Sequence, residues 1–293
     1  MIIVKIDGGL GNQMFQYALG EALRSKGKNV KYDIREVKKN IHNGFELTNA
    51  FENIRDFPIA LNDECGLLGV KKVGRLRNLL RRYYHTEKYI EYISPQSSIK
   101  YYASIFDYDD AYLVGYWQSY KYFEPIRDMI RNSFYFADIG MDKICKNMMD
   151  KIANDKHSVS MHVRRGDYVG NKLYDDICDF NYYLRAIEYM KKIDKDTVFY
   201  VFSNDLEWCR NTLLKDVVTS KFIYVKCNMK NMSYRDMQLM SLCRRNIIAN
   251  STFSWWSAWL NTNEDKVVVT PSKWFNKSCI CIDDLIPNGW IRL

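Results

Sequence analysis

The sequence lacks several features that are typical of membrane, secreted or zinc-binding proteins. No run of about 18 apolar residues occurs, so we expect no transmembrane helix. The N-terminus, MIIVKIDGG, lacks the basic lead and the small-residue cleavage site of a signal peptide. The four histidines form no ligand-spaced cluster, and none lies near the close cysteine pair Cys279 and Cys281, so we expect no zinc site.

Two nucleotide-binding signatures are also absent. The loop after the first apolar run, residues 7–12, reads DGGLGN, which is not the G-x-G-x-x-G spacing of dinucleotide-binding folds. No Lys-Ser or Lys-Thr pair follows it, as a P-loop would require. Its three glycines either allow a ligand to approach the backbone closely or simply build a tight turn, and both interpretations stay open.

What is present is a globular composition with a basic balance. Of 293 residues, 47% are hydrophobic and 27% are charged, which suits one large domain or two. Lys and Arg number 43 against 35 Asp and Glu, and the net charge of +8 at pH 7 favours an anionic partner. Because the basic residues are spread along the chain rather than clustered, we expect no nucleic-acid partner.

The cysteines and one basic stretch indicate where in the cell the protein is expected to be. The eight cysteines are scattered, so we expect free thiols in a reducing, cytoplasmic compartment. Residues 71–82, KKVGRLRNLLRR, place leucines at helical spacing among basic residues. Such a stretch is typical of a solvated helix face over a core, or of a helix on an anionic membrane surface. The second interpretation would make the protein peripheral on the inner membrane surface.

Hydrophobic periodicity predicts an α/β protein. Residues 2–6 are an apolar run typical of a buried parallel strand, and a glycine loop and a helix over 13–26 follow. From residue 158 onward, strands and helices alternate, which indicates a parallel, doubly wound sheet. A polar stretch lies near residue 154, and we therefore predict domains over 1–153 and 154–293.

Three of the predicted strands in the second half end in polar loops. These loops are Arg164-Arg165-Gly166-Asp167, Ser203-Asn204-Asp205 and Asn250-Ser251-Thr252. In an open parallel sheet, ligands bind outside the carboxyl ends of the strands, and the last two loops open helices whose N-terminal amides favour anions. Each loop also has a plain interpretation as a helix cap. Their convergence with an arginine pair predicts a nucleotide-diphosphate site.

The strand that leads into the first loop alternates apolar and polar side chains over residues 158–163. Continued alternation places Arg164 on the face of His162, while Arg165 points to the other face. A guanidinium matches phosphate oxygens two at a time. The same sequence would also suit a surface arginine pair bridged to Asp167.

Four stretches together resemble the α-1,2-fucosyltransferase family. They are Gly8–Ala18 (GGLGNQMFQYA), His162–Tyr168 (HVRRGDY), Phe202–Asp205 (FSND) and Ala249–Trp256 (ANSTFSWW). Their order and spacing also fit, and the match runs from residue 7 to residue 275 or so. Residues 40–137 carry no motif of the family.

The resemblance implies a GT-B architecture, in which two Rossmann-like domains with parallel sheets face a cleft, the first on the acceptor side and the second binding GDP-fucose. It implies an inverting transfer of L-fucose from GDP-β-L-fucose to the 2-hydroxyl of a terminal β-galactose in a glycan or O-antigen, with no metal or other cofactor. The D-x-D spacing of some metal-dependent glycosyltransferases occurs at Asp107 and Asp109, but no apolar strand leads into it. A fucosyltransferase of another linkage, or a non-catalytic nucleotide- or nucleic-acid-binding protein, is the alternative.

The resemblance also implies roles for individual residues. By its motifs, His162 contacts guanine, Arg164 or Arg165 holds the diphosphate, and Asp205 accepts a hydrogen bond from guanine. Asn12 would lie near the reacting centre. The other residues expected to bind the donor are Gly9, Gly11, Ser203, Ser251, Thr252 and Phe253.

Cleavage of the donor builds negative charge on the β-phosphate, which a fixed arginine must stabilise if no metal does so. If His162 meets guanine, its same-face neighbour Arg164 is the expected principal stabiliser, and Arg165 is expected to pair with a carboxylate and shape the loop. The catalytic base stays open, because Lys172 stands where related α-1,6 enzymes have a glutamate. Asp167 and Asp7 are the candidates, and Asp167 would alternatively hold the arginine pair in place.

Overall fold

The structure is a computed structural model, and it describes residues 1–37, 43–68, 89–137, 142–218, 220–227, 232–277 and 280–293. The chain forms two compact units. Unit 1 comprises Met1–Ala137 and Cys281–Ile286, and unit 2 comprises Asp138–Ile280 and Pro287–Leu293. The functional division into an acceptor domain over 1–153 and a donor domain over 154–293 stays a prediction.

Unit 1 contains a sheet of four parallel strands. They are Ile2–Lys5 (β1), Val30–Asp33 (β2), Tyr89–Tyr92 (β3) and Ala111–Gly115 (β4), and they lie in the order β2-β1-β4-β3. The central β1 is buried at Ile2, Ile3 and Val4, as its apolar run predicts. The sequence does not predict β3 and β4, because strands this short show little periodicity within a tyrosine-rich stretch.

The described helices of unit 1 are Leu10–Ser25 (α1), Leu47–Ala50 (α2), Asn62–Leu68 (α3), Pro95–Ile99 (α4) and Arg127–Ser133 (α5). At Gly20, α1 lies so close to β2 that an added Cβ would be 2.3 Å from the Tyr32 hydroxyl, so glycine is required there. The segment Cys281–Ile286 joins this unit through Asp284, whose carboxylate accepts from the Tyr101 amide at 2.8 Å and pairs with Lys121 at 2.6 Å.

Unit 2 contains a sheet of six parallel strands. They are Ser158–Val163 (β5), Val198–Ser203 (β6), Lys221–Tyr224 (β7), Arg245–Ile247 (β8), Val268–Thr270 (β9) and Ile291–Arg292 (β10), in the order β10-β9-β8-β5-β6-β7. The chain lays down β5, β6 and β7 in one direction and then returns to place β8 on the other side of β5. This reversal is a topological switch point, where open α/β sheets bind ligands.

The described helices of unit 2 are Lys143–Ala153 (α6), Phe180–Ile193 (α7), Leu206–Trp208 (α8), Tyr234–Leu242 (α9) and Thr252–Leu260 (α10). Val159, Met161 and Val163 of β5 are buried in one apolar cluster with residues of α7. Tyr200 and Phe202 of β6 belong to a second cluster with residues of α9. The alternation predicted for residues 158–163 is therefore confirmed.

Two parallel sheets with helices confirm the predicted α/β class. From α6 onward, strands and helices alternate as the sequence predicts. The basic stretch over residues 71–82 lies outside the described residues, so both interpretations of it stay predictions. Within the part of the chain that the structure describes, every helix is too short or too polar to span a bilayer.

Candidate active site

The three loops predicted to bind a nucleotide lie side by side in unit 2, because β6 and β8 flank β5. Hydrogen bonds also tie them together. The Arg165 amide donates to the side-chain oxygen of Asn204 at 3.0 Å, and the Tyr168 hydroxyl donates to the Asn250 carbonyl at 3.1 Å. The roles of Asn204 and Tyr168 are not predicted from the sequence, since both bond backbone groups that only the fold brings near.

The turn after β5 depends on Gly166. Its φ of +56° is in the left-handed region, which favours glycine. An added Cβ would lie 2.4 Å from the Asn204 side-chain nitrogen, inside any normal contact. The glycine therefore allows the β5 and β6 loops to approach each other.

Arg164 lies at the carboxyl end of β5 with part of its hydrogen-bonding capacity unused. One terminal nitrogen of its guanidinium pairs with Asp167 at 2.7 Å, and its carbon lies 5.5 Å from the centre of the Tyr168 ring. Its Nε atom is buried and has no partner among the described residues. A buried donor left unpaired costs about 1–3 kcal/mol, and such groups often mark a place where a ligand supplies the acceptor.

Arg165 is engaged on the other side of the loop. Its Nε atom pairs with Asp205 at 3.2 Å, and its guanidinium carbon stacks 3.8 Å from the centre of the Trp208 ring. Asp205 also caps α8 by accepting from the Trp208 amide at 3.0 Å. Arg165 thus pairs with a carboxylate and shapes the loop, as expected, while the guanine contact of Asp205 stays a prediction.

His162 is a neutral, buried imidazole beside Arg164. The side chain is 6% exposed, and burial, together with the nearby Arg164 guanidinium, lowers the pKa of His162 to about 3. Its Nδ1 atom has no partner within the described chain. The ring centre lies 5.8 Å from that of Phe253, the second residue of α10. An uncharged imidazole suits an uncharged nucleobase better than a phosphate.

The remaining predicted donor ligands of unit 2 line the same edge. The Ser203 hydroxyl accepts from the Asp205 amide at 2.9 Å. Ser251 is the N-cap residue of α10, but its side chain makes no capping hydrogen bond. Thr252 is the first residue of that helix. The positive end of the α10 dipole therefore lies at the carboxyl edge of β8.

The glycine loop of unit 1 follows β1 and opens α1. Gly8 has a φ of +80°, Gly9 is the N-cap residue of α1, and Gly11 is buried in its first turn. Gln13 fastens the loop, because its side-chain nitrogen donates to the carbonyls of Gly8 at 2.9 Å and Gly44 at 2.7 Å. The predicted role of Gly9 and Gly11 in donor binding stays a prediction.

Asn12 is the part-exposed polar residue of this motif. Its side-chain oxygen accepts from the side-chain nitrogen of Gln118 at 2.9 Å, and Gln118 comes three residues after β4. The neighbouring Gln16 connects the carboxyl ends of β1 and β4. Its side-chain oxygen accepts from the Asp7 amide at 2.9 Å, and its side-chain nitrogen donates to the Gly115 carbonyl at 2.9 Å. Gln118 is not predicted from the sequence, because it lies outside the motifs that carry the resemblance.

The two candidate bases lie in different units. Asp167 is paired with Arg164, and its side chain is 52% exposed. Asp7 is exposed, and its side-chain oxygen accepts from the Gly8 amide at 2.8 Å. Each lies at the carboxyl end of a strand, β5 and β1 respectively, so neither position excludes a role as base.

Two other acidic groups lie at the opposite, amino ends of strands. Asp109 precedes β4 and pairs with Lys28 at 2.7 Å. His157, Asp194 and Asp196 precede β5 and β6, and their ligand atoms lie within 4.8 Å of one another, a proximity that the sequence analysis missed because it arises from the fold. Arg245 already pairs with Asp194 at 3.2 Å. The His157 group lies at the end of the unit 2 sheet opposite to the nucleotide loops.

Comparison with known protein families gives a match over the whole chain. The model of the family described as Glycosyl transferase family 11 matches residues 1–293. The chain is 33% identical over 307 residues to an α-1,2-colitosyltransferase of Escherichia coli, covering 100% of this chain and 99% of that protein. It is 32% identical over 316 residues to the O-antigen biosynthesis glycosyltransferase WbnK of Escherichia coli, covering 98% and 99%.

Solved structures show the same fold at lower identity. The fucosyltransferase NodZ from Bradyrhizobium matches with a TM-score of 0.50 at 13% identity, over 87% of this chain and 91% of that one. POFUT1 in complex with GDP-fucose matches with a TM-score of 0.51 at 13% identity, over 92% of this chain and 97% of that one. These likenesses confirm the predicted GT-B fold class.

Proposed function

Because the chain belongs to glycosyl transferase family 11, and is therefore a glycosyltransferase, we propose that it moves L-fucose from GDP-β-L-fucose to the 2-hydroxyl of a terminal β-galactose. The observation that carries the proposal is a pair of buried polar atoms at the end of β5, Arg164 Nε and His162 Nδ1. Neither has a partner among the described residues. Orphaned polar atoms beside a topological switch point are typical of a ligand site.

The charges of this edge suit a nucleoside diphosphate. Arg164 keeps an unused donor for the β-phosphate, and the N-terminus of α10 adds a partial positive charge. The neutral His162 would meet guanine without carrying a charge of its own into a buried site. We propose that the other donor-binding residues are those predicted from the sequence, namely Arg165, Ser203, Asp205, Ser251, Thr252 and Phe253 in unit 2 and Gly9 and Gly11 in unit 1.

The reaction would proceed by displacement at C1 of the sugar. The bond from C1 to the β-phosphate oxygen breaks, its electron pair stays on that oxygen, and a bond forms from C1 to the galactose 2-oxygen on the opposite face. The proton of that 2-hydroxyl goes to Asp167 or Asp7 if a protein base acts, and otherwise to the departing phosphate. The product linkage is therefore α. Charge grows on the leaving phosphate, where the Arg164 guanidinium would stabilise it more in the transition state than in the bound donor.

Asn12 would serve the acceptor. It is an uncharged donor and acceptor in the first turn of α1, where it suits a sugar hydroxyl rather than a phosphate. The acceptor itself would be a galactoside of an O-antigen or a related glycan, since one relative with 32% identity is named for O-antigen biosynthesis.

A second candidate donor sugar is colitose, because the relative with 33% identity is an α-1,2-colitosyltransferase. Colitose is L-fucose without its 3-hydroxyl, so its GDP derivative would present the same diphosphate and base to unit 2. The two candidates therefore differ in a single sugar contact and share the rest of the mechanism.

One experiment tests both donors. The purified protein would be incubated with GDP-L-fucose or GDP-colitose and with lactose, N-acetyllactosamine, lacto-N-biose or an O-antigen galactoside, and product linkage would be determined by NMR. An α-1,2-fucosylated galactose supports the proposal, and transfer from GDP-colitose alone supports the second candidate. Binding of GDP without transfer to any acceptor would reject both in favour of a non-catalytic nucleotide-binding protein.

A further inference from the structure

We propose that Gln118 is a positioning residue that fixes the side-chain amide of Asn12, so that Asn12 offers its NH₂ group to a hydroxyl of the acceptor sugar. The inference rests on the proposed function, which gives Asn12 its role at the acceptor. It adds a residue from the stretch over 40–137, which lies outside the motifs that carry the resemblance.

The contact itself sets the direction of the Asn12 amide. Gln118 donates through its side-chain nitrogen to the Asn12 side-chain oxygen at 2.9 Å. Because that oxygen faces Gln118, the Asn12 nitrogen is turned towards the glycine loop, where it lies 2.7 Å from the position that a Cβ of Gly8 would take. Gln118 is 6% exposed while Asn12 is partly exposed, so the donor side of this hydrogen bond is largely shielded from water.

Burial of the Gln118 side-chain amide lowers the stability of the folded protein. Its side-chain oxygen is buried and has no partner among the described residues. An unpaired buried acceptor costs about 1–3 kcal/mol, which an apolar side chain of similar length would avoid. The hydrogen bond to Asn12 is the contact that we take to account for a glutamine at this position.

The backbone before Gln118 is also held in an uncommon conformation. Trp117 has a φ of +52°, a left-handed value that costs a non-glycine residue on the order of 1–3 kcal/mol. Its ring packs edge-on against Tyr92 at 5.5 Å and Tyr122 at 6.2 Å, and the Gln118 amide donates to the Ser98 carbonyl at 2.7 Å. These contacts hold the strained turn, and the turn sets the direction of the Gln118 side chain.

Kinetics of two Gln118 variants test the proposal. Gln118→Met removes the donor at nearly constant volume, and we expect kcat for transfer to fall roughly 10- to 100-fold, the scale of a misplaced catalytic contact. The KM for the sugar nucleotide and the Kd for GDP should stay within about twofold, because unit 2 is unchanged. A matched control is Asn261→Ala, which removes another fully buried amide, bonded to Asn246, and should lower Tm without lowering kcat.

Gln118→Glu adds a signature that a merely structural role would not give. A protonated Glu donates to the Asn12 oxygen as Gln118 does, whereas an ionised Glu repels it. Burial raises the pKa of a carboxyl group, so the ratio of variant to wild-type kcat should fall as the pH rises from about 6 to about 8. A pH-independent ratio, or a native kcat in Gln118→Met, would overturn the proposal.

The hydrogen bond between Gln118 and Asn12 can also be detected by NMR, without measuring catalysis. In protein labelled at asparagine nitrogen, the side-chain NH₂ signals of Asn12 are assigned by their loss in Asn12→Asp, and they should shift in Gln118→Met. If the wild-type protein transfers no sugar while these signals shift, the proposed function fails and the contact stands. If transfer occurs but the signals and kcat are both unaffected by Gln118→Met, the positioning role fails and the proposed function stands.

Discussion

At the carboxyl edge of each parallel sheet, a left-handed glycine lies against the side chain of an asparagine. In unit 1 the pair is Gly8 and Asn12, and in unit 2 it is Gly166 and Asn204. The chemistry around the two pairs differs. The unit 2 edge carries the guanidiniums of Arg164 and Arg165, whereas the described glycine loop of unit 1 carries the carboxylate of Asp7 and the amides of asparagine and glutamine, without a guanidinium.

The difference shows that a left-handed glycine turn beside an asparagine does not by itself determine which ligand binds there. Under the proposed function, a left-handed glycine turn after a parallel strand would serve a charged diphosphate in unit 2 and an uncharged hydroxyl in unit 1, and the side chains would decide between them. Guanidiniums match phosphate oxygens, while amides provide balanced donors and acceptors. The predictions below test whether the two edges divide the reaction in this way.

The largest effect is expected at Arg164. Arg164→Ala should lower kcat by about 10²–10³, the scale seen when a donor to a developing anion is lost. Arg164→Lys should recover little, because an ammonium cannot reproduce the guanidinium fork. The matched control is Arg165→Lys, whose native side chain is already engaged by Asp205 and Trp208.

Steady-state kinetics with GDP-fucose, accompanied by thermal melts, would measure these variants. A near-native Arg164→Lys beside an inactive Arg165→Lys would exchange the two roles. The assignment of unit 2 to the leaving group would survive that result, but the alternation argument for Arg164 would not.

The catalytic base provides a second test of the division, since one candidate lies in each unit. If a protein base is required, either Asp167→Asn or Asp7→Asn should lower transfer by roughly 10² or more, with GDP affinity by calorimetry retained. Loss in Asp7→Asn would give the acceptor chemistry to the unit 1 edge. Near-native turnover in both variants would contradict a protein base and favour a loose, cation-like path.

Substitution of Gly166 or Gly8 by alanine is expected to have a smaller effect, of similar size in the two units. An added Cβ would lie 2.4 Å from Asn204 at Gly166 and 2.7 Å from Asn12 at Gly8, and both residues have positive φ. We expect Gly166→Ala to weaken GDP binding, and Gly8→Ala to lower kcat with GDP binding retained, each by roughly 10-fold or more. Equal loss of GDP affinity in both variants would remove the distinction between the edges.

The two edges also differ in how much the sequence predicts. In unit 2, β5 and β6 are six residues each, β5 alternates apolar and polar residues, β6 is a β-branched and aromatic run, and the loops that follow contain the predicted ligands. In unit 1, the loop after β1 was identified, but β3, β4 and Gln118 were not. Short strands in an aromatic-rich stretch carry little periodic signal, and a contact such as Asn12 with Gln118 joins residues 106 positions apart.

The buried His162 predicts a moderate dependence of stability on pH. Its pKa is about 3 in the folded protein, against about 6.5 in the unfolded chain, so the unfolded chain binds the proton first. The folded state is therefore unpenalised above about pH 6.5 and loses stability as the pH falls towards about 3.

At about pH 5 this loss should amount to about 2 kcal/mol in the free energy of unfolding, and it should be absent from His162→Gln. Denaturant unfolding of both proteins at several pH values would measure it. A constant difference between the two proteins from about pH 7 to about pH 5 would show that His162 is not held neutral by burial.

The smallest expected effect is that of chelation. Within the described chain, the group that could hold a metal ion is His157, Asp194 and Asp196, which lies at the amino ends of β5 and β6. The D-x-D residue Asp109 precedes β4 and is paired with Lys28. The His157 group lies at the end of the unit 2 sheet opposite to Arg164, and we expect Arg164, rather than a divalent ion, to stabilise the diphosphate. Treatment with EDTA should change kcat by less than about twofold, whereas Arg164→Ala should remain inactive in the presence of Mn²⁺. Activity that EDTA abolishes and Mn²⁺ restores would contradict this assignment, and alanine variants of Asp109 and Asp196 would then identify which carboxylate binds the ion.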